Sequence, residues 1–222
     1  MIRLVEASKR YPGGHEALTA VSLDISAGEF VAVTGQTGAG KSTLLKLIAG
    51  LERATSGDVL VNGQNLKSLG PAGLAVLRRS LGIVFQDHKL LFDRSAFDNV
   101  MLPLEIADFP VKEAQRRARA ALDKVGLLAR EKANPISLSG GEQQRLCIAR
   151  AIVSRPAILI ADEPTGNLDA DYASAIMGLF RSFNQVGVTV VLSTHDLPAL
   201  ATVQARRIEL KDGRVLAGEA LA

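Results

Sequence analysis

The chain has 222 residues, 47% hydrophobic and 22% charged, with a formal net charge of +3 and a pI of about 9.2. Such a chain can bury a good core in one domain or two closely joined lobes, and its composition is that of an ordinary globular protein. No run of about 18 apolar residues exists to span a bilayer. The opening MIRLVEASKRYP lacks the apolar centre of a secretory signal, and the scattered basic residues have no interleaved aromatics, so nucleic-acid binding is not expected.

In chain order, Ile2, Leu4 and Val5 begin a strand, and Leu18, Val21, Leu23 and Ile25 alternate with polar residues in a second. Ala27-Gly28 turns into Phe30-Val31-Ala32-Val33, an apolar run typical of a buried strand. Residues 35–42 follow at once, and then a helix pattern over 43–49 closed by Gly50. Val59-Leu60-Val61 is a short strand ending in the tight turn Asn62-Gly63. Gly82-Ile83-Val84-Phe85 is another, ahead of Gln86.

From about residue 90 to 137 the pattern is helical, punctuated by Pro103, Pro110 and Pro135. It is clearest over 111–125, where Ala114, Ala118, Ala121, Leu122 and Val125 share one side. Arg116-Arg117-x-Arg119 lies there with Glu113 and Asp123 at helical spacing, which reads as a solvated face. A further helix over 143–154 buries Leu146, Ala149, Ile152 and Val153. The lone cysteine, Cys147, lies on its apolar side and reads as a small core residue, which fits a reducing cytosol.

Buried-strand patterns then return. Ala157-Ile158-Leu159-Ile160-Ala161 ends in Asp162-Glu163, a helix covers 172–184, and Thr189-Val190-Val191-Leu192-Ser193 ends in Thr194-His195. Strand, helix, strand with polar groups at the strand ends is the βαβ plan, in which ligands bind beyond the carboxyl ends. A hairpin over 207–215 turns at Asp212-Gly213. The expected organisation is one α/β unit over 1–222, with a nucleotide-binding core over about 1–86 and 157–222 and a helical lobe over about 87–156.

Gly35-Gln36-Thr37-Gly38-Ala39-Gly40-Lys41-Ser42 matches the phosphate-loop pattern between a buried strand and a helix. Glycines let the loop curl so that backbone N–H groups face phosphate oxygens, aided by the helix dipole. Lys41 is expected at the β- and γ-phosphates, Ser42 at Mg²⁺ and Thr43 at the α-phosphate. The Asp162–Glu163 pair at a strand end repels itself unless cations or water fill the gap. Asp162 suits the Mg²⁺ shell, and Glu163 suits a general base for the attacking water. In this company Gln86 can bind Mg²⁺ or that water, and His195 can donate to the γ-phosphate. Tyr11 either stacks on adenine or packs over the sheet edge.

Ser139-Gly140-Gly141 is a second glycine-rich turn opening a helix, but no Lys-Ser follows it. Ser139 and Glu142 form a capping-box pattern. The same turn offers N–H groups and a hydroxyl to an anion, and the economical anion is the γ-phosphate of ATP held by a neighbouring subunit. Both readings can hold together.

Taken in order, Tyr11, the phosphate loop, Gln86, Leu138-Ser139-Gly140-Gly141-Glu142-Gln143-Gln144, Ile158-Leu159-Ile160-Ala161-Asp162-Glu163-Pro164, Asn167-Leu168-Asp169 and His195 resemble the ATP-binding-cassette (ABC) ATPases over essentially the whole chain. The resemblance implies an α/β P-loop NTPase with a RecA-like core, an antiparallel β subdomain and an inserted helical subdomain. It implies Mg-dependent ATP hydrolysis by a head-to-tail homodimer, with Asp169 in a loop facing the opposite subunit. Soluble members with two cassettes or a long coiled coil do not fit, since only about fifty residues separate Gln86 from Ser139.

Within the family, residues 86–94, Phe97-Asp98-Asn99-Val100 and 183–190 resemble the bacterial cell-division type, FtsE. That likeness implies an integral membrane partner resembling FtsX, a peripheral place on the cytoplasmic side of the inner membrane, and control of peptidoglycan hydrolases at the septum. The run 90–92 is a candidate docking place for a short partner helix, or else partly core. Lipoprotein-release and macrolide-export ATPases share the run 161–169 and stand as the alternative.

Overall fold

The computed structural model describes residues 1–166 and 168–216. Two sheets share the work. The antiparallel one is built from β1 (Ile2–Arg10) and β2 (Glu16–Ile25), joined later by β4 (Ser56–Val61) and β5 (Gln64–Asn65) in the order β2-β1-β4-β5. Between them the chain enters the second sheet as β3 (Phe30–Thr34) and turns into helix α1 (Lys41–Ile48). After α2 (Pro71–Arg79) comes β6 (Leu81–Val84), then the helices α3 (Ala96–Ile106), α4 (Val111–Lys124) and α5 (Gly140–Ile152). The remaining elements are β7 (Ile158–Asp162), α6 (Ala170–Gln185), β8 (Thr189–Ser193), the one-turn α7 (Leu197–Leu200), and the hairpin β9 (Arg206–Lys211) with β10 (Arg214–Val215). The second sheet has the order β10-β9-β3-β8-β7-β6, parallel except at β10.

Strand side chains alternate between faces, and here both faces of the parallel sheet are covered. Val31, Val33, Ile158, Ile160 and Val191 pack with β1, β2 and α1. Their neighbours Ala32, Leu159, Ala161, Val190 and Leu192 pack with α3, α4, α5 and α6. Continuous apolar runs, rather than alternating ones, are the sequence form of such strands. The arrangement puts the carboxyl ends of β3, β6, β7 and β8 along one edge.

Helix α2 has no counterpart in the pattern reading, because only Leu74 and Leu77 of its nine residues are buried. Helix α5 begins at Gly140, three residues before the expected start at Gln143, since Ser139 caps it. Arg116 and Arg119 are exposed, as a solvated face requires, and Arg117 is half-buried. Arg117 pairs with Glu113 at 2.6 Å and lies over the Phe109 ring. Arg119 pairs with Glu131, not Asp123, and covers Phe97. Guanidinium planes stack on rings while keeping their charge paired, and this clips the helical lobe together. Leu90 is buried, Leu91 half-buried and Phe92 exposed.

Candidate functional site

Residues 35–40 leave β3 in a tight curl that only glycine permits at two points. Gly40 has φ 104°, and a Cβ there would lie 2.5 Å from the Ala17 carbonyl oxygen and 2.9 Å from Leu18 Cδ2. Gly35 has φ 143°, and its Cβ would fall 2.2 Å from the Leu210 carbonyl oxygen. The loop is thus wedged between β2 and β9, and delivers α1 with no side-chain cap on its first N–H groups. Uncapped donors and the positive end of the helix dipole face the same space.

Two linked networks converge there. Ser42 Oγ and Ser193 Oγ both donate to Asp162 Oδ1, at 3.0 and 2.6 Å, and Ser193 Oγ in turn accepts from the Glu163 N–H at 2.9 Å. Lys41 Nζ donates to the Gly35 and Gln36 carbonyls at 2.9 and 3.4 Å and lies 3.3 Å from Glu163 Oε1. The other carboxylate oxygen, Glu163 Oε2, meets His195 Nδ1 at 2.9 Å and the His195 N–H at 3.3 Å. Glu163 also sits in the left-handed region, φ 48°. A non-glycine residue is held there only where its surroundings over-determine it; two hydrogen bonds from β8 and the turn after it do so.

A cleft of about 340 Å³ opens over these groups. Tyr11, Thr37, Gly38, Gly40, Lys41, Ser42, Thr43, Gln86, Glu163 and His195 line it. Gly35, Gln36 and Ala39 of the loop do not line it, nor does Asp162, which is tied to it through Ser42. Tyr11 OH approaches Thr43 Oγ1 at 3.5 Å, and Lys9 Nζ sits 4.9 Å over its ring. His15, Ala17 and Gly166 also border the cleft. They carry no sequence pattern that would single them out. Ser193 was legible in principle, as a hydroxyl ending an apolar strand next to His195.

Ser42, Asp162 and Gln86 offer only oxygen donors, the set that a hard cation such as Mg²⁺ takes together with phosphate oxygens and water. Among the described residues no cluster of three or more His, Cys, Asp or Glu could hold a metal by itself. A Mg²⁺ that relies on its nucleotide needs no such cluster.

The remaining predicted residues lie elsewhere. Ser139, Gly140, Gly141 and Asp169 do not line the cleft. Ser139 caps α5: its Oγ accepts from the Glu142 N–H at 3.3 Å, and Glu142 Oε2 accepts from the Ser139 N–H at 2.8 Å. That backbone donor holds the Glu142 carboxyl below its usual range. Asp169 caps α6 through the Tyr172 N–H, and Tyr172 packs on Gly141. Asn167, part of the same predicted run, lies outside the described residues.

Comparison with known proteins agrees with this geometry. The ABC transporter family profile matches residues 18–166. The cell division ATP-binding protein FtsE of Escherichia coli K12 is 50% identical over 218 residues, which cover 98% of each chain. FtsE of Bacillus subtilis is 42% identical, covering 99% of this chain and 96% of its own. A dimeric post-hydrolysis state of the ATP-binding cassette MJ0796, bound to ADP and Pi, superposes with a TM-score of 0.90 at 38% identity, over 97% of this chain and 96% of that one. The expected α/β P-loop NTPase fold of ABC type is therefore the fold observed. With a phosphate-binding cleft at the strand ends and relatives alike from end to end, the chain belongs to the ABC transporter family as one of its ATP-binding cassettes.

Proposed function

We propose that this chain is the ATP-hydrolysing subunit of a membrane-bound complex of the cell-division type. The observation that carries the chemistry is the pair of networks joining Ser42, Asp162 and Ser193, and Lys41, Glu163 and His195, at the carboxyl ends of β3, β7 and β8. A triphosphate laid on the loop gives Lys41 a stronger partner than two carbonyls. Its departure from Glu163 leaves that carboxylate free to orient water. Glu163 then accepts the water's proton as oxygen bonds to the γ-phosphorus and the bond to the ADP oxygen breaks. His195 links the γ-phosphate to Glu163, donating a ring N–H to the phosphate when the ring turns from the carboxylate. Mg²⁺, when bound, neutralises charge on the β- and γ-oxygens; Ser42, Asp162 and Gln86 would hold it. Tyr11 offers its ring to adenine.

The second half of the site comes from a homodimer twin. Ser139, Gly140, Gly141 and Asp169 stand away from the chain's own cleft, which supports their acting on the twin's nucleotide. The dimeric MJ0796 cassette supports the same arrangement.

The membrane partner of the FtsE relatives' type would be one resembling FtsX. Among the described residues no helix is long and apolar enough to cross a membrane, so membrane attachment, on the cytoplasmic side, falls to the partner. A groove of about 450 Å³ beside Gln86, lined by Ala75, Phe85, Leu102 and Ile106 and edged by Arg78 and Lys89, offers that partner a seat. The cell-division role, with its control of peptidoglycan hydrolases at the septum, rests on the near-complete alignment with FtsE proteins. The chemistry is tested by Glu163→Gln. That variant is expected to bind ATP normally, hydrolyse it about 10²–10⁴-fold more slowly, and accumulate as an ATP-bound dimer in size-exclusion chromatography. Near-normal turnover would remove Glu163 from the role. The membrane protein co-purifying with this trapped form in detergent distinguishes the cell-division reading from an exporter.

A further inference from the structure

Beyond Gln86 the chain makes an unusual turn. His88 and Lys89 are consecutive non-glycine residues in the left-handed region, with φ 60° and 49°. Neither has a side chain that favours this state enough for two in a row. Inside the turn, the Lys89 N–H donates to the Asp87 carbonyl at 2.6 Å, and the Lys89 ammonium pairs with the exposed Asp87 carboxylate. Such local contacts also exist in solvent-exposed loops that relax, so the strain must be met by something rigid.

Helix α5 supplies it. Arg150 Nη1 donates to the Lys89 carbonyl and Nη2 to the His88 carbonyl, each at 2.6 Å. Cys147 Sγ, one turn earlier, donates to the same His88 carbonyl at 3.4 Å. A planar fork spanning two successive carbonyls fixes both the position and the twist of a peptide. Arg150 forms no ion pair among the described residues, and burial, not a counter-ion, dominates its setting. An arginine is kept in such a place for its geometry more than for its charge. The same helix starts at the Ser139–Gly141 turn, ten residues and about 15 Å away.

We propose that Arg150 is a positioning residue: it locks the loop 86–89 so that the Gln86 amide stays over the cleft. The proposal rests on the reading of Gln86 given above.

The test is a double-mutant cycle in the full chain, with steady-state ATPase, equilibrium ATP binding and thermal midpoint read together. Arg150→Ala is expected to lower kcat about 10–100-fold, as a displaced catalytic amide does, with ATP affinity of the monomer within about twofold of the parent. Arg150→Lys recovers little, because an ammonium cannot hold two carbonyls in a fixed plane. In a Gln86→Ala background, the Arg150→Ala step costs less than about threefold in kcat, since there is no amide left to misplace. Equal costs in both backgrounds, or loss of ATP binding in parallel with a lowered melting point, would show a merely structural arginine and overturn the proposal. A Gln86→Ala enzyme at full rate would instead sink the reading of Gln86. Should Arg150→Ala be insoluble, Arg150→Lys carries the same cycle.

Discussion

The starts of α1 and α5 are two glycine-rich turns of the same local kind, used in opposite ways. The α1 turn is wedged between two sheets and leaves its N–H groups without a side-chain cap. The α5 turn stands at the surface, capped on both sides by Ser139 and Glu142. An uncapped helix start inside a cleft is costly unless an anion arrives, whereas a capped one is stable by itself. The first therefore offers its donors to an anion held by its own chain. The second is stable alone, as the proposed role against a twin's nucleotide requires.

Substitutions at the two turns should separate them most sharply. Gly40→Val places carbon where the Ala17 carbonyl and Leu18 already lie, and is expected to abolish ATP binding by the monomer, measured by equilibrium titration. Gly141→Ala meets only the edge of the Tyr172 ring, at 3.1 Å. It should leave that titration unchanged within about twofold. Equal losses would erase the distinction drawn between the turns. Ser139→Arg sharpens it from the other side. Hydrolysis should fall to background while the isolated monomer still binds ATP, because only the twin's site loses its lid. Loss of monomer binding would contradict the trans assignment.

Acid should reveal a smaller difference. Glu142 is held below the usual carboxylate range by the Ser139 N–H, so its contribution is present above the unfolded-state value, about 4.3, and is lost as pH falls through the lower folded value. Half-buried at the start of a helix and screened by solvent, it is worth about 0.3–1 kcal/mol. Glu142→Gln should lower the melting point slightly at pH 7 and flatten its fall below about pH 4.3. The first turn of α1 has no acidic residue and offers no counterpart. A Glu142→Gln curve parallel to the parent's would discount the cap.

The smallest expected effect concerns α5 further along. Burial pushes the Cys147 thiol up to about 12, so the folded protein should resist thiol reagents at pH 8 and react on unfolding. The linked loss of stability begins as pH rises above the unfolded value, about 8.5. Rapid labelling of the native protein would mean that α5 leaves the loop it holds.

The legible and illegible parts of this molecule divide along physical lines. The strands β3, β7 and β8 announced themselves because they are buried on both faces and so carry continuous apolar runs. The terminal Asp162–Glu163 of β7 and the Thr194–His195 that follow β8 announced the cleft, because polar groups at the ends of such strands must meet a ligand or water. Helix α2 did not, since it rests on two leucines only. The stacking of Arg117 and Arg119 on Phe109 and Phe97 was hidden too, because neither ring adjoins its arginine in a pattern that periodicity detects. Ser193 was read as a strand end and not as the bridge between Asp162 and Glu163. That bridging depends on β7 and β8 being neighbours in register.

What the amino-acid order determined by itself is local: which segments curl, cap and extend, and which residue types wait at their ends. Glycine tolerance, hydrophobic period and capping chemistry act over a few residues, so a linear reading reaches them. The tertiary structure alone decided that Lys41 lies against Glu163, that Ser42 and Ser193 share one carboxylate oxygen, and that Arg150 grips a turn sixty residues upstream. Those pairings follow from strand order and from helices packing on both faces of one sheet. No short-range preference encodes them; they exist only once the two cores have closed around β3, β7 and β8.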